Sequence, residues 1–455
     1  MRHITSGKLR AILLSLSLIT QPGSILGSDL RDLDRWIDPV EVSGDVLSSM
    51  IGAGTENIRV YASRDKTLVP IPFQIDQKNS AGDWVWSNVP ASRKRSNKAS
   101  EDGESDFSRA QTGDLTADDQ DPRGKSVFDS NDVLVFMARD IGDRHSKAAN
   151  ETGTVIAELK ISDLQKGDDG WIYVIRYASE PPARATQHYV SYQETERRVV
   201  APNYEFVYSA EHSVMLEDLK VDGVSILEQS KIRGKVKAGL GPIATTMDFD
   251  ERAIDGYDAG YINGPVRVIK RSIDHVKIKA GMRSPDVNCD HYYYPSHAEV
   301  PMLFSMRFPV KAVEILATSM YRNGVFKSVK VPRMKESIGI VNKQSSSNLL
   351  ENRKDAGWLG LYGDGLSVLT LVRIPEDIDS FFGMEPYLAN NTGQALEAGY
   401  LIQTKPGIAK GEHVLHSLYL ILADSDANDN ATKMVNLLDN KLHVEATTIK
   451  GASDK

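Results

Sequence analysis

The chain has 455 residues, a formal net charge of -8, 41% hydrophobic and 25% charged residues, and a single cysteine. That composition excludes an intrinsically disordered or collagen-like chain and a polytopic membrane protein. With 62 acidic against 54 basic residues it also excludes a strongly basic nucleic-acid binder, and its length allows two or three globular domains.

Residues 1–27 read as an export signal. Arg2, Lys8 and Arg10 form a basic start, and the apolar stretch Ala11–Thr20 is ended by Gln21, Pro22 and Gly23. That is well short of the about 20 apolar residues a membrane-spanning helix needs. Gly27 suits the position before cleavage and Ser28 the mature N-terminus. No cysteine adjoins that cut, and no later run approaches a membrane span. The expected product is soluble, periplasmic or secreted, with no transmembrane segment after signal removal. Loss of the three basic residues moves the formal charge from -8 to -11. Such a surface repels nucleic acid and anionic lipid, and admits anionic partners only through a local basic pocket. Cys289 has no partner for a disulfide, and a chain of this size can build its core without one.

Short apolar runs of period two, bounded by Gly, Pro, Asn and Asp, predict strands along most of the chain. In order they are Ile58–Ala62, Leu68–Ile75, Asp132–Ala138, Thr154–Ile161, Trp171–Tyr177 and Pro265–Ser272. Met302–Phe308, Phe326–Val331, Leu366–Arg373 and His413–Ala423 follow. Helical periodicity is confined to Asp45–Met50 and Thr432–Lys441. The predicted fold is mainly β, a small N-terminal β-sandwich over residues 28–180 followed by a large antiparallel β-sandwich over 183–455. Pro181 and Pro182 punctuate the two. Residues 92–126 are almost devoid of apolar side chains, with basic residues first and acidic ones after. They read as a disordered polar insert between two neighbouring strands of one sheet, Leu68–Ile75 and Asp132–Ala138.

The segments PIPFQIDQ (Pro70–Gln77) and FDSNDVLVFMARDIGD (Phe128–Asp143) resemble a recurring N-terminal module of uncharacterised exported bacterial β-rich proteins. The module is similar to the front end of secreted carbohydrate-associated families with a galactose-mutarotase-like supersandwich domain. The resemblance implies a small sandwich coupled to a large, supersandwich-like one, and a place among polysaccharide lyases, sugar epimerases or sugar-binding relatives. It carries over no catalytic residue.

The densest set of reactive side chains runs from Cys289 to Glu299. His291, Tyr292 and Tyr294, with Arg283 upstream, are the candidate catalytic set. In lyase-type chemistry a Tyr or His removes the proton α to a uronate carboxyl while a cation stabilises the enolate. Pro295 points to a loop at a strand end. The plainer alternative is a connecting loop whose tyrosines pack and whose histidines are solvated. A zinc site from His291, His297 and Glu299, oriented by Asp290, lacks any diagnostic spacing. The candidate binding set is His297, Glu299, Trp84 and Trp86. The two tryptophans share one face of a strand, where they either stack on sugar rings or cap the N-terminal core. His413 and His416 fall on opposite faces of a strand, which favours packing.

Asp424, Asp426 and Asn428 resemble the first half of a calcium loop, but Asp429 replaces the turn glycine and Val435 the bidentate Glu. A turn followed by a helix cap is the alternative. Calcium is the one cofactor the sequence offers, and none is required. Asp129, Asn131 and Asp132 read as a hairpin turn. Arg139, Asp140, Asp143 and Arg144 read as a solvated or interdomain ion-pair network, with a clamp where the two domains meet as the functional alternative. Nucleotide-binding and nucleophile-elbow motifs are missing.

Two function classes stand. One is an exported soluble protein that binds a glycan or cell-envelope component without catalysis, which the sequence favours slightly. The other is a carbohydrate-active enzyme, a polysaccharide lyase or sugar epimerase, working through residues 289–299. The enzyme reading expects His291, His297 and one tyrosine to converge with an arginine; the binding reading expects them to disperse.

Overall fold

A computed structural model describes residues 33–88, 126–145, 155–238, 245–277, 283–306, 312–332, 334–340, 357–374, 382–390, 395–404, 408–422 and 427–450. Residues 1–27, the expected export signal, almost all of the 92–126 insert, and Asp424 and Asp426 lie outside the described residues. Among those described, the chain is mainly β with one α-helix, Ala427–Asp439, as the alternating pattern predicts.

Two sheets form the first sandwich. A three-stranded sheet runs in the order Pro39–Ser43, Val133–Met137, Gln74–Asp76. It faces a five-stranded sheet in the order His443–Lys450, Val155–Asp163, Asp168–Arg176, Ile58–Arg64, Thr67–Pro70. Val42, Val60, Leu134, Phe136, Leu159 and Ile172 fill the space between them. The run expected over 68–75 divides between both sheets, because Pro70 and Pro72 have no N–H to give to a ladder. Gln74–Asp76 does pair with Val133–Met137, the neighbour relation that the sequence suggested. Asp129 Oδ1 accepts from the N–H groups of Asn131 and Asp132, which makes that segment the expected turn.

The last strand is a difference from the sequence reading. His443–Lys450 lies antiparallel beside Val155–Asp163, from His443↔Ser162 to Lys450↔Val155. The chain therefore returns to the first sandwich at its end, a pairing partner that no local pattern can reveal. Arg35, 2% exposed, fastens the return. Its guanidinium donates to Asp38 (2.9 and 2.8 Å), Asp163 (3.1 Å) and the carbonyls of Leu437 (2.6 Å) and Asn440. A cation suits those carbonyls, which carry the negative end of the helix dipole.

The second sandwich sets a nine-stranded antiparallel sheet against a five-stranded one. The nine strands run in the order Ile254–Asn263, Val268–Val276, Val287–Tyr293, His297–Met306, Gly411–Leu422, Leu366–Arg373, Trp358–Gly363, Phe326–Lys330, Ile338–Gly339. A meander from Ser191 to Ser225 adds its own five strands. Tyr204, Phe206, Tyr293, Val368, Tyr400 and Ile421 share the inner core. On the outer face, Ala431 and Val435 of the helix pack on Leu369, Leu371, Leu418 and Leu420. Farther along that face, Trp84 and Trp86 of the first sandwich cover Ile269. The helix begins before the predicted Thr432; the other predicted helix, Asp45–Met50, is only a 3-10 turn at Ser48–Met50.

Between the two covers runs a polar strip. Glu299 pairs with Leu418, Pro301 and Arg373 with His416, and His297 with Leu420. Laterally paired residues share a face, so His297, Glu299, Arg373 and His416 all point to the seam between helix and first sandwich.

Candidate binding site at the seam

Residues 287–306 form a β-hairpin, Val287–Tyr293 and His297–Met306, with Pro295 in the turn. The Tyr294 N–H donates to the His297 carbonyl at 2.9 Å and closes it. A hairpin stands where the sequence suggested a loop, and strand alternation then splits the cluster between two faces.

His291 points into the sandwich. Its Nε2 lies 3.2 Å from Ser272 Oγ, which donates to Asp274 at 2.7 Å. Lys270, also fully buried, contacts Asp258 at 2.7 Å and donates to the Ser213 carbonyl. Burial, then the Lys270 charge, holds His291 well below the ordinary histidine range, so it is neutral and enclosed. Tyr292 lies on the opposite face, where its hydroxyl accepts from Trp84 Nε1 at 3.2 Å. Arg283 pairs with Asp286 at 3.3 Å, away from both. His291, Tyr292, Tyr294 and Arg283 are thus not brought together. The zinc alternative loses His291 for the same reason.

Trp84 and Trp86 are 8% and 9% exposed. The Lys78 ammonium sits 4.5 Å from the Trp84 ring and the Arg271 guanidinium 5.1 Å from that of Trp86. A Cβ on Gly260 would lie 2.5 Å from Trp86, so glycine is needed to let the indole lie on the sheet. These rings are packing elements, closed to a sugar.

Tyr294, His297 and Glu299 do converge. The Tyr294 ring stacks on His297 with centroids 4.7 Å apart. Its hydroxyl donates to Glu41 Oε1 at 3.0 Å and accepts from Arg267 Nη1 at 2.9 Å. Arg267, with no exposed side chain, also pairs with Asp76 at 2.7 Å and with Glu41. Gln74 completes the mount: its Oε1 accepts from the N–H groups of Val266 and Arg267, and its Nε2 donates to Asp76. Gly264 leaves room for it, since a Cβ there would lie 2.2 Å from Gln74 Oε1.

On the other side, His297 Nε2 is 3.7 Å from Glu299 Oε1. Burial, and after it the charges of Arg139 and Arg373, pushes the His297 pKa down to about 3, so the ring is neutral. Burial pushes the Glu299 carboxyl up. Burial acts likewise on Glu41, but Arg267 and the Tyr294 hydroxyl outweigh it and hold that carboxyl below the usual range. The two carboxylates are still open to solvent, with side chains 44% and 30% exposed. Arg373 pairs with Asp439 at the helix end.

Glu41, Arg267 and Arg373 carry no local motif, and sequence reasoning missed them, whereas Arg139 lies in the Phe128–Asp143 segment and was expected in an ion-pair network or a clamp where the domains meet. Sequence reasoning also passed over Trp36, which is 38% exposed and lies 5.5 Å from the Arg139 guanidinium. The Gln74–Asp76 pair had a signal, since both fall within the PIPFQIDQ segment. His413 Nε2 donates to the Ala409 carbonyl at 2.9 Å and its ring lies 5.5 Å from that of Phe304, a packing role. Asp140 accepts from the Tyr189 hydroxyl, and Arg144 pairs with Glu158. Of the calcium candidates, Asp424 and Asp426 lie outside the described residues, as does the side chain of Asn428. Among the described residues no group of three or more His, Cys, Asp or Glu is placed to hold a metal ion. A separate open groove of about 440 Å³ lies at the edge of the second sandwich's five-stranded sheet, lined by Arg233, Lys235, Asp248, Phe249 and Glu314.

No family model matches the chain, and no curated protein matches it. Among solved structures it is similar to an alpha-mannosidase from Enterococcus faecalis V583, at 9% identity and a TM-score of 0.49 over 91% of this chain and 44% of that one. It is also similar to the alpha-N-acetylgalactosaminidase NagBb from Bifidobacterium bifidum in a GalNAc complex, at 10% identity and 0.37 over 53% and 38%. A third is a putative aldose 1-epimerase from Klebsiella pneumoniae subsp. pneumoniae MGH 78578, at 8% identity and 0.33 over 54% and 84%. The chain spans less than half the length of the first two.

Proposed function

We propose that this is an exported protein that binds a glycan or another cell-envelope component at the seam around Tyr294 and His297. One observation carries the reading: a fully buried, neutral imidazole with neither ring nitrogen hydrogen-bonded among the described residues lies beside two carboxylates that solvent reaches. Buried polar groups are ordinarily satisfied, and a hydroxyl-rich ligand offers both donors and acceptors to such a set. The resemblance of Pro70–Gln77 to carbohydrate-associated modules supports the same reading, since Gln74 and Asp76 mount the seam arginine. Titration calorimetry against a glycan panel tests it. Binding that weakens at least tenfold in His297→Ala, with the fold intact by circular dichroism, is the expected result.

A second reading, catalysis on the same ligand, is favoured by the opposite displacement of two solvent-reached carboxyls. Glu299 is shifted toward the protonated form and Glu41 toward the ionised form, the division of labour that acid–base chemistry at sugars uses. Release of reducing ends, or of unsaturated products absorbing in the ultraviolet, separates it from binding alone.

A further inference from the structure

Away from the seam, the inner face of the nine-stranded sheet holds an ion pair that the proposed binding does not use. Lys270 is 0% exposed and Asp258 3%. They stand on the neighbouring strands Val268–Val276 and Ile254–Asn263, where Lys270 faces Tyr261 and Asp258 faces Ser272. A register shift between Asp258 and Gly260 bends this ladder, and the two side chains meet on the diagonal. Lys270 Nζ lies 2.7 Å from Asp258 Oδ1, and the Tyr208 ring covers the ammonium at 4.5 Å. Arg197 Nη2 reaches the other carboxylate oxygen, Oδ2, at 3.3 Å. The Ser213 carbonyl accepts from Nζ at 3.1 Å.

A buried ion pair of this kind adds little stability, because desolvation of both charges offsets most of their attraction. An amine and a carboxyl in contact, with water shut out, are also the two reactants of an amide. A lysine in a desolvated site is a nucleophile, and well-aligned groups held in place reach effective molarities of about 10⁵–10⁸ M. The surrounding partners fit the product. An amide keeps one N–H and one carbonyl oxygen, and the Ser213 carbonyl stands at the first and the Arg197 guanidinium at the second. That guanidinium also meets the oxygen on which negative charge develops during attack.

We propose that Lys270 and Asp258 join in an intramolecular isopeptide bond, formed by the folded chain itself. Nζ attacks Asp258 Cγ; the Nζ–Cγ bond forms and the Cγ–Oδ1 bond breaks. Two of the three ammonium protons pass to Oδ1, which leaves as water, and the third stays on the amide nitrogen. Nothing is oxidised or reduced, and no co-reactant is needed. The bond has a structural purpose. Ile254–Asn263 lies at the end of the nine-stranded sheet, with Val268–Val276 as its ladder partner. A crosslink between the two fastens an edge that hydrogen bonds hold from one side. In a chain with a single cysteine, it does so where no disulfide can.

Intact mass spectrometry of the full chain, denatured after purification and with its N-terminus read by sequencing, tests the step directly. The expected mass is one water below the value the sequence requires. Lys270→Arg, Lys270→Met and Asp258→Ala should each show the full mass of their own sequence, and fragmentation of peptides from the parent should link residue 258 to residue 270. A parent chain of full mass overturns the proposal whatever the variants do, so a variant that fails to fold leaves the test intact. A missing water that persists in Lys270→Arg or Lys270→Met lies elsewhere in the chain and overturns it equally.

Discussion

Tyr294 stacks on His297 with their planes 23° apart, and through this pair Glu41 on the tyrosine hydroxyl is joined to Glu299 beside the imidazole. The pair comes from the hairpin turn of the large sandwich, whereas Glu41 lies on a strand of the small one. The site thus exists only where the two sandwiches meet. Its integrity depends on the same contacts that dock them.

Arg267 is the first of those contacts. It and Asp76 are both fully buried, and removing one leaves the other charge without compensation. Arg267→Ala should destabilise by about 3–5 kcal/mol, whereas Arg267→Met with Asp76→Asn should recover much of that loss. Urea unfolding of the single and double variants measures the difference. Equal losses in both would mean that the guanidinium serves no buried partner.

The pH dependence has a definite sign at Asp132. Burial pushes its carboxyl up to about 7, against two backbone N–H donors from Asp129 and Lys78. A carboxyl raised above its unfolded value contributes stability that is full below about 3.8 and lost as the pH rises through about 7. Asp132→Asn should flatten the stability profile over that window by about 1–4 kcal/mol, read from chemical unfolding at pH 4, 5.5 and 7.5. An unchanged slope would mean that Asp132 ionises freely in the folded protein.

Much of the fold was legible because period-two alternation is a local signal. Ile58–Arg64, Val133–Met137 and Leu366–Arg373 follow their predicted runs within a residue or two. Alternation also decides the fate of the candidate site, although the sequence reading did not apply it there. His291 and Tyr292, adjacent in a strand, must face opposite ways, so one entered the core and the other met Trp84. Long-range relations were not legible. Nothing near His443 names Ser162 as its partner, and nothing near Glu41 names Arg267. The tryptophan pair was visible as a pair, but only burial shows that the open indole is Trp36.

The chain return held by Arg35 carries the helix that walls one side of the seam, where Asp439 pairs with Arg373. Arg35→Met removes the donors to Leu437, Asn440 and Asp163 and leaves two buried carboxylates unpaired. The helix and last strand should then open more often than the rest of the fold. Hydrogen exchange over residues 427–450 should speed up by at least tenfold, with little change in the strands around Tyr293. Deleting residues 443–455 should bare the edge of Val155–Asp163, and an uncovered edge strand invites pairing between molecules. Concentration-dependent association by light scattering is the expected readout; a deletion that stays monomeric would show that the edge is protected some other way.

The last prediction separates binding from catalysis at Glu299. The carboxyl is 30% exposed, shifted by burial toward its protonated form, and lies 3.7 Å from a neutral histidine. Glu299→Gln keeps the shape and removes only the ability to exchange a proton. If the seam merely binds, the variant should hold the ligand within about threefold of the parent, since the amide keeps the size and the hydrogen-bonding reach of the carboxyl. If the seam also turns its ligand over, product formation should fall by about 10²–10⁴-fold while affinity is kept. His297→Ala provides the complement, because loss of the imidazole weakens binding in either case. A Glu299→Gln protein that loses affinity as strongly as His297→Ala would assign the carboxylate to ligand recognition and leave no proton-transfer role for it.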